Sequence, residues 1–382
     1  AVLAVSYYPV RHACEVKPYV FDLGFAVLYL ALTLAYLRGT STRCLIALAL
    51  MTPIAVFASY PSVFVAGSVS LVLLPTMRSA NWTQRSLYAL FNLMMIASFV
   101  VHFGFVGHHQ IDAAEAQRTR EFLRNYWKDA FPPDSLLMWP LWLLKVFTGN
   151  MLAYPVGAKN GGSAVTFLLV VLGSISLWRS GQRSLLALCW FPFVLNLFAA
   201  ILNKYPFGDS ARITLHLAPF ICILMAHGFA HVLTSIRSPL WQTRLHLACY
   251  ALLIACGIAG IARDLVHPYK TEHDRDVRLL ARDIAAGVGP NEPVMLDADR
   301  DEQLLPEFLW NLRARQLPLR WRSETVDAST RSYWFVQCRH DADGVTPTFA
   351  GWRCVASELR MVPPENDKLQ PVYCRWVHFE RE

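Results

Sequence analysis

The chain has 382 residues, of which 54% are apolar and only 16% charged, with a formal net charge of +7 and a mean hydropathy of +0.32. Soluble domains carry about 25% charged residues, so this composition excludes a disordered chain, a coiled coil and an ordinary cytosolic enzyme. The charge is also divided unevenly: residues 1–262 hold 18 Lys and Arg against 8 Asp and Glu, net +10, whereas residues 263–382 hold 17 against 20, net −3. The first part reads as a membrane domain and the second as a water-soluble one. The excess of cations then belongs to membrane loops and argues against nucleic acid as a partner.

In chain order, eight apolar stretches approach the roughly 20 residues that cross a bilayer as a helix. They are 20–37, 44–59, 62–77, 86–107, 164–178, 184–202, 213–233 and 245–262, the second, third and fifth being short. The loops 38–43, 77–85, 179–183 and 234–244 together carry eight arginines and no acid, while the alternate short loops carry only Lys204 and Arg212. An excess of basic residues marks the cytoplasmic side, and Trp82, Trp178 and Trp241 stand beside those arginines as interfacial aromatics do. The N-terminal stretch, the turn 59–62, the loop 108–163, the loop 203–212 and the whole of 263–382 are thereby expected on the outer side of the cell (inner) membrane. The sequon Asn81-Trp82-Thr83 falls on the inner side, where it stays unmodified.

The loop 108–163 is too long for a connector. Its segment 115–128 is charged and helical in spacing, Phe131-Pro132-Pro133 breaks it, and 136–147 is a 12-residue apolar run containing Trp139 and Trp142. Twelve residues cannot span, so this run reads either as an interfacial or re-entrant helix or as a helix packed on the loop core. From residue 263 the pattern changes. A helix over 273–286 is stopped by Gly287-Val288-Gly289-Pro290-Asn291, a strand follows at 293–296, a helix at 302–315, and strands at 319–321, 333–338, 352–355 and 372–379. The expected fold is mainly α: a polytopic helical membrane bundle of about eight transmembrane helices (1–262), with a small C-terminal α/β domain (263–382). No internal repeat is visible. The chain opens on Ala1 with no charged stretch ahead of an apolar one, and the expectation is that N-terminal sequence is missing.

Of nine cysteines, Cys44, Cys189, Cys222, Cys249 and Cys256 lie in or beside spans, while Cys14, Cys338, Cys354 and Cys374 lie outside, where disulfides persist. The three in the tail allow one pair, and Cys338–Cys354 is the pairing expected. Neither C-x-x-C nor H-E-x-x-H occurs, so no dedicated zinc site is signalled. His108-His109 reads as a solvated interfacial pair or as a contact for a metal or anionic substrate. His227 and His231, four apart near an inner helix end, suit the helix dipole.

Two constellations carry chemistry. Residues 7–22 pack Arg11, His12, Glu15, Lys17, Tyr19 and Asp22 at the outer mouth of a helix. Arg11 and Lys17 suit phosphate oxygens, and Asp22 is an ionisable group just inside an apolar span, where such groups are costly. The structural alternative is cations snorkelling to the surface with Asp22 as their partner. Residues 203–219 carry Tyr205, Arg212 and His216 around Pro206, Gly208 and Asp209. Arg212 opens the next helix, where charge, dipole and backbone N–H groups together hold an anion; the alternative is a turn built by Pro, Gly and Asp.

Glu15-Val16-Lys17-Pro18-Tyr19 followed by Asp22 resembles the E-V-[RK]-P-Y segment of polytopic GT-C glycosyltransferases, the bacterial relatives of protein O-mannosyltransferases and lipid A aminoarabinose transferase. Ser59-Tyr60-Pro61 before a span resembles the same group, as does Tyr205-Pro206 followed by Arg212 and Pro219. The resemblance covers roughly residues 5–225. It implies a sugar donor on a polyprenyl phosphate, membrane lipids as surroundings, an acceptor hydroxyl on a glycan, lipid or protein, and a divalent metal in some members. It implies that Lys17 and Arg212 stabilise the departing phosphate, that Glu15 orients the base, a metal or the acceptor, and that Tyr19 and Tyr205 line the donor site. It further implies a general base on a carboxylate in a first outer loop upstream of residue 15, which this chain does not contain. Two rival readings remain from the residues alone: a transporter or flippase of a lipid-linked or anionic substrate, and a non-catalytic membrane scaffold whose tail binds partners.

Overall fold

The computed structural model describes residues 1–13, 19–107, 127–157, 161–266, 271–289, 292–298, 304–315, 317–321, 330–339, 348–362 and 372–381. Those residues fall into two compact units, Ala1–Ala262 and Arg263–Glu382. The first unit is helical throughout. After two short helices, α1 (Val2–Val5) and α2 (Tyr7–Ala13), come α3 (Tyr19–Gly39), α4 (Thr42–Ala58), α5 (Ser62–Leu73) and α6 (Trp82–Val101). Then follow α7 (Trp139–Thr148), α8 (Gly162–Arg179), α9 (Arg183–Ile201), α10 (Ala218–Ser235) and α11 (Pro239–Val266).

Among the described residues six helices are long and apolar enough to cross a membrane: Tyr19–Gly39, Trp82–Gly104, Gly162–Arg179, Arg183–Ile201, Ala211–Ser235 and Pro239–Arg263. The chain has the helices of a multi-pass membrane protein. The other two expected spans are apolar helices that fall short in length. α4 has 17 residues with Pro53 inside it, and α5 has 12 before Pro75 tightens the chain into a 3-10 turn over Leu74–Arg78. The expected helix over 115–128 lies, but for its last two residues, outside the described residues, and so does the His108-His109 pair.

The arginine-bearing turns adjoin one another where contacts define them. Gln84 Nε2 donates to Thr40 O (2.8 Å), and Arg85 donates to the carbonyls of Met77 (3.0 Å) and Arg78 (2.9 Å). Asn81 is occupied as the N-cap of α6, its side chain accepting from Gln84 N in a reciprocal capping box. Arg183 lies over the Trp178 ring and Arg244 over the Trp241 ring, at 5.1 and 5.2 Å. In the bundle, α8 and α10 approach most closely at Gly173 and Gly228. A Cβ on Gly173 would collide with Leu224 O, and one on Gly228 with Leu169 O, so the backbones pack at a distance only small residues permit.

The second unit holds α12 (Thr271–Gly287), β1 (Val294–Ala298), α13 (Leu304–Arg313), β2 (Leu319–Trp321), β3 (Ser332–Arg339), β4 (Trp352–Val362) and β5 (Val372–Arg381). The strands form one sheet in the order β2-β1-β3-β5-β4, with β1 parallel to β2 and β3, and β5 antiparallel to β3 and β4. Alternation along β3 sends Trp334, Val336 and Cys338 into one core with Val277, Leu280, Ile284, Phe308 and Leu312 from the helices, and Tyr333 and Phe335 into another with Phe379, Phe349 and Trp352. β4 runs seven residues beyond the expected 352–355. It is an exposed edge strand with a bulge between Cys354 and Ala356, so its burial does not alternate. The expected Cys338–Cys354 pairing is overturned by strand order: β5 lies between β3 and β4. Cys338 stands instead opposite Cys374 on β5, their Sγ atoms 2.7 Å apart, and Cys354 is exposed.

Candidate functional site

Three segments far apart in sequence meet in the first unit. Asp22 lies one turn into α3 and is 3% exposed. The turn after α4 is made by Ser59-Tyr60-Pro61, and Ser59 Oγ donates to Asp22 Oδ1 at 2.6 Å. Ser62 Oγ, at the start of α5, donates in turn to Ser59 Oγ at 2.8 Å. The result is a directional chain of two hydroxyls ending on a buried carboxylate, an arrangement that spares the apolar interior an unsolvated charge.

Tyr60, directly after Ser59, carries the second contact. The Tyr60 ring stacks on Tyr205 (6.2 Å between centroids), and His102 lies 5.7 Å from it on α6's continuation. Tyr205 Oη donates to Ile213 O at 2.8 Å, and its ring packs against Phe64 (5.3 Å) and His216 (6.1 Å). Burial pushes the Tyr205 hydroxyl well above its usual range, and the neighbouring Asp22, Tyr19 and Tyr60 push it further. The phenol therefore stays a neutral hydrogen-bond donor.

His216 sits in the 3-10 segment Ala211–Leu217 that leads into α10, and is fully buried. The Ile213 backbone, which also accepts from Tyr205, interacts with the His216 ring, at a geometry short of a full hydrogen bond. His102 Nδ1 and both amide atoms of the fully buried Asn196 on α9 are likewise without partners. Arg212, next to the turn, places its guanidinium over the Trp127 ring at 5.4 Å.

The segment 127–157 clamps the turn that carries Tyr205. Phe207 N donates to Ala130 O (2.8 Å), Trp142 packs on Phe207 (5.8 Å), and Asn150 Nδ2 donates to Asp209 O. Gly208 adopts φ +88°, and a Cβ there would strike Val146 Cγ1 of α7, so only glycine meets both demands. Beside this clamp lies an open cavity of about 210 Å³ lined by Asp129, Lys145, Thr148, Asn150 and Asp209, across which Lys145 pairs with Asp129 at 3.0 Å.

Of the residues expected from sequence, Tyr19, Asp22, Tyr205 and His216 act on or touch one another here, and Arg212 adjoins them in the chain. Arg11 lies on α2. Glu15 and Lys17 lie outside the described residues. Ser59 was named only within the Ser59-Tyr60-Pro61 motif; Ser62, His102 and the buried Asn196 were missed. A histidine inside an apolar helix and an asparagine within a span were the available signals for the last two, whereas nothing local singles out Ser62. Among the described residues no group of three or more His, Cys, Asp or Glu is placed to hold a metal ion. Chemically, the cluster offers a carboxylate held by hydroxyls, neutral phenols, two imidazoles with unused nitrogens and an adjacent guanidinium, a set suited to a ligand bearing both an anionic oxygen and hydroxyls. No family model matches the chain, and neither any curated protein nor any solved structure is similar to it.

Proposed function

We propose that this chain is a membrane glycosyltransferase of the GT-C type, moving a sugar from a polyprenyl-phosphate donor to an acceptor hydroxyl on the outer face of the cell membrane. One observation carries the reading. The three segments that bear the resemblance, around Asp22, Ser59-Tyr60 and Tyr205, are separated by tens to more than a hundred residues, yet they contact one another directly. In this reading all eight apolar helices cross the bilayer, with the arginine-rich turns inside and the α/β tail outside, supporting the acceptor.

The reaction is an inverting displacement. The acceptor hydroxyl oxygen forms a bond to the anomeric carbon as the bond from that carbon to the phosphate oxygen breaks. The hydroxyl proton goes to a carboxylate acting as general base, and the phosphate departs on its lipid. Negative charge develops on the leaving phosphate, and fixed cations and dipoles aimed at it lower the barrier. Arg212 and Lys17 fill that role, with His216 donating to a donor oxygen and Tyr205, whose hydroxyl proton goes to Ile213 O, lining the donor site. Asp22, held by Ser59 and Ser62, positions the sugar hydroxyls. α7 lies in the membrane interface: Trp142 and Val146 face the protein, while Leu137, Leu141 and Leu144 are exposed.

The test uses the complete open reading frame of the gene. Arg212→Ala is expected to cut sugar transfer from a polyprenyl-phosphate donor by roughly 100-fold or more with the thermal unfolding midpoint preserved. Wild-type turnover in that variant contradicts the assignment. The buried carboxylate and unpartnered polar groups within spans also fit a transporter of a lipid-linked or anionic substrate. Flux of such a substrate into liposomes without sugar transfer selects that second reading.

A further inference from the structure

We propose that Cys338 and Cys374 are a disulfide-forming pair that staples β3 to β5 in the C-terminal unit. Three observations carry this. The two residues are direct partners in the antiparallel register, flanked by Gln337↔Arg375 and Arg339↔Tyr373. Their Sγ atoms stand 2.7 Å apart, and both side chains are buried in the core that α12 and α13 cover, beside Val336 and Trp376. The competing thiol, Cys354, is exposed on the far side of β5, opposite Phe379. Cross-strand neighbours hold their Cβ atoms about 4.5–5.5 Å apart, close to the span a disulfide bridges, so closure needs little movement of either strand.

The oxidant is a small-molecule or protein disulfide. The thiolate of one cysteine attacks a sulfur of that disulfide, forming a mixed disulfide and releasing one thiol. The second cysteine then attacks the mixed disulfide at the protein sulfur, forming the Cys338–Cys374 bond and releasing a second thiol. Two electrons and two protons thus pass from the pair to the oxidant. Because both thiols are buried in the assembled sheet, the exchange takes place while β3 and β5 come together, and the finished bond is shielded from reductants. It closes the segment 338–374, which contains the whole of the edge strand β4, and so restrains the part of the sheet with least cover.

The state of the pair in cells depends on the outward placement of the tail, since disulfides persist outside the cytoplasm, whereas the pairing itself does not. The experiment therefore has two arms on the full chain. In the first, membranes are prepared with N-ethylmaleimide present at lysis, then denatured, proteolysed and examined by mass spectrometry. In the second, dithiothreitol-reduced membranes loosened in urea are exposed to oxidised glutathione, then treated identically. The expected result is a linked species of the Cys338 and Cys374 peptides, about 2 Da lighter than the two thiol peptides together, with Cys354 alkylated. Cys354→Ser keeps this species, and Cys338→Ser leaves Cys374 alkylated. A bond in the second arm alone upholds the pair and refutes the outward tail. Linkage through Cys354, or full alkylation of Cys338 and Cys374 in both arms, overturns the proposal.

Discussion

The two units differ in how completely they satisfy their buried polar groups. In the tail, Glu292 accepts from Ser332 Oγ, from Gly289 N at 2.8 Å and from Trp334 Nε1 at 3.1 Å, and it faces His378 at 3.4 Å; the His378 ring stacks on Trp334. Gln337 likewise donates to Asp297 at 3.0 Å. Among the described residues, the buried side-chain atoms left without a partner belong instead to the bundle: on His102, Tyr154, Asn196 and His216. An unmade hydrogen bond is most costly where water is excluded. The tail's polar network therefore serves the tail's own fold, while on the proposed function the unpartnered atoms of the bundle are the ones left for a ligand.

Substitution can break that contrast. Glu292→Ala strands Ser332, Gly289 and Trp334 together, and is expected to destabilise the tail by about 1–3 kcal/mol, read as a lower urea midpoint for tail unfolding in the full chain. Sugar transfer measured without denaturant should be unchanged. Asn196→Leu should do the reverse. It replaces an orphaned amide with an apolar side chain of similar size, so the bundle's thermal midpoint should hold or rise slightly. A loss of bundle stability comparable to that of Glu292→Ala would show that Asn196 has an internal structural partner, and the contrast would fail.

The smallest effect is in pH. Burial alone would raise the Glu292 carboxyl, but the hydrogen bonds from Ser332, Gly289 and Trp334 and the charge of His378 outweigh it and hold the carboxyl below the usual glutamate value. A depressed carboxylate stabilises the fold fully above its unfolded value of roughly 4.3, and loses that contribution as pH falls through the folded value. Tail stability should therefore be flat from neutral pH to about 5 and decline below 4. Glu292→Gln should flatten that decline, and an unchanged acid slope would remove Glu292 from the account.

Much of the architecture is legible from local pattern. Apolar runs near 20 residues show where the long helices lie, and the shift in charge density at residue 263 marks the change of unit. What local pattern does not carry is which distant segments meet. Asp22 and Ser59 are 37 residues apart, and no propensity links them; Tyr60 was visible only as part of a motif, not as the residue that joins two constellations. β4 was read as four residues because its edge position and bulge remove the alternation on which strand recognition depends. The cysteine pairing failed for a related reason. Strand order is a property of the sheet, and with three thiols in the tail it decides which two are neighbours.

The account rests on the polar cluster opening to the outer side. Lys204→Cys and Arg179→Cys variants, both at exposed positions at opposite ends of α9 and α8 respectively, can be treated with a membrane-impermeant maleimide in right-side-out vesicles, with labelling scored above the native cysteine background. The account predicts labelling at position 204 and none at 179 until the membrane is permeabilised. Labelling at 179 with protection at 204 would turn the arginine-rich turns outward and the site inward, and would contradict it.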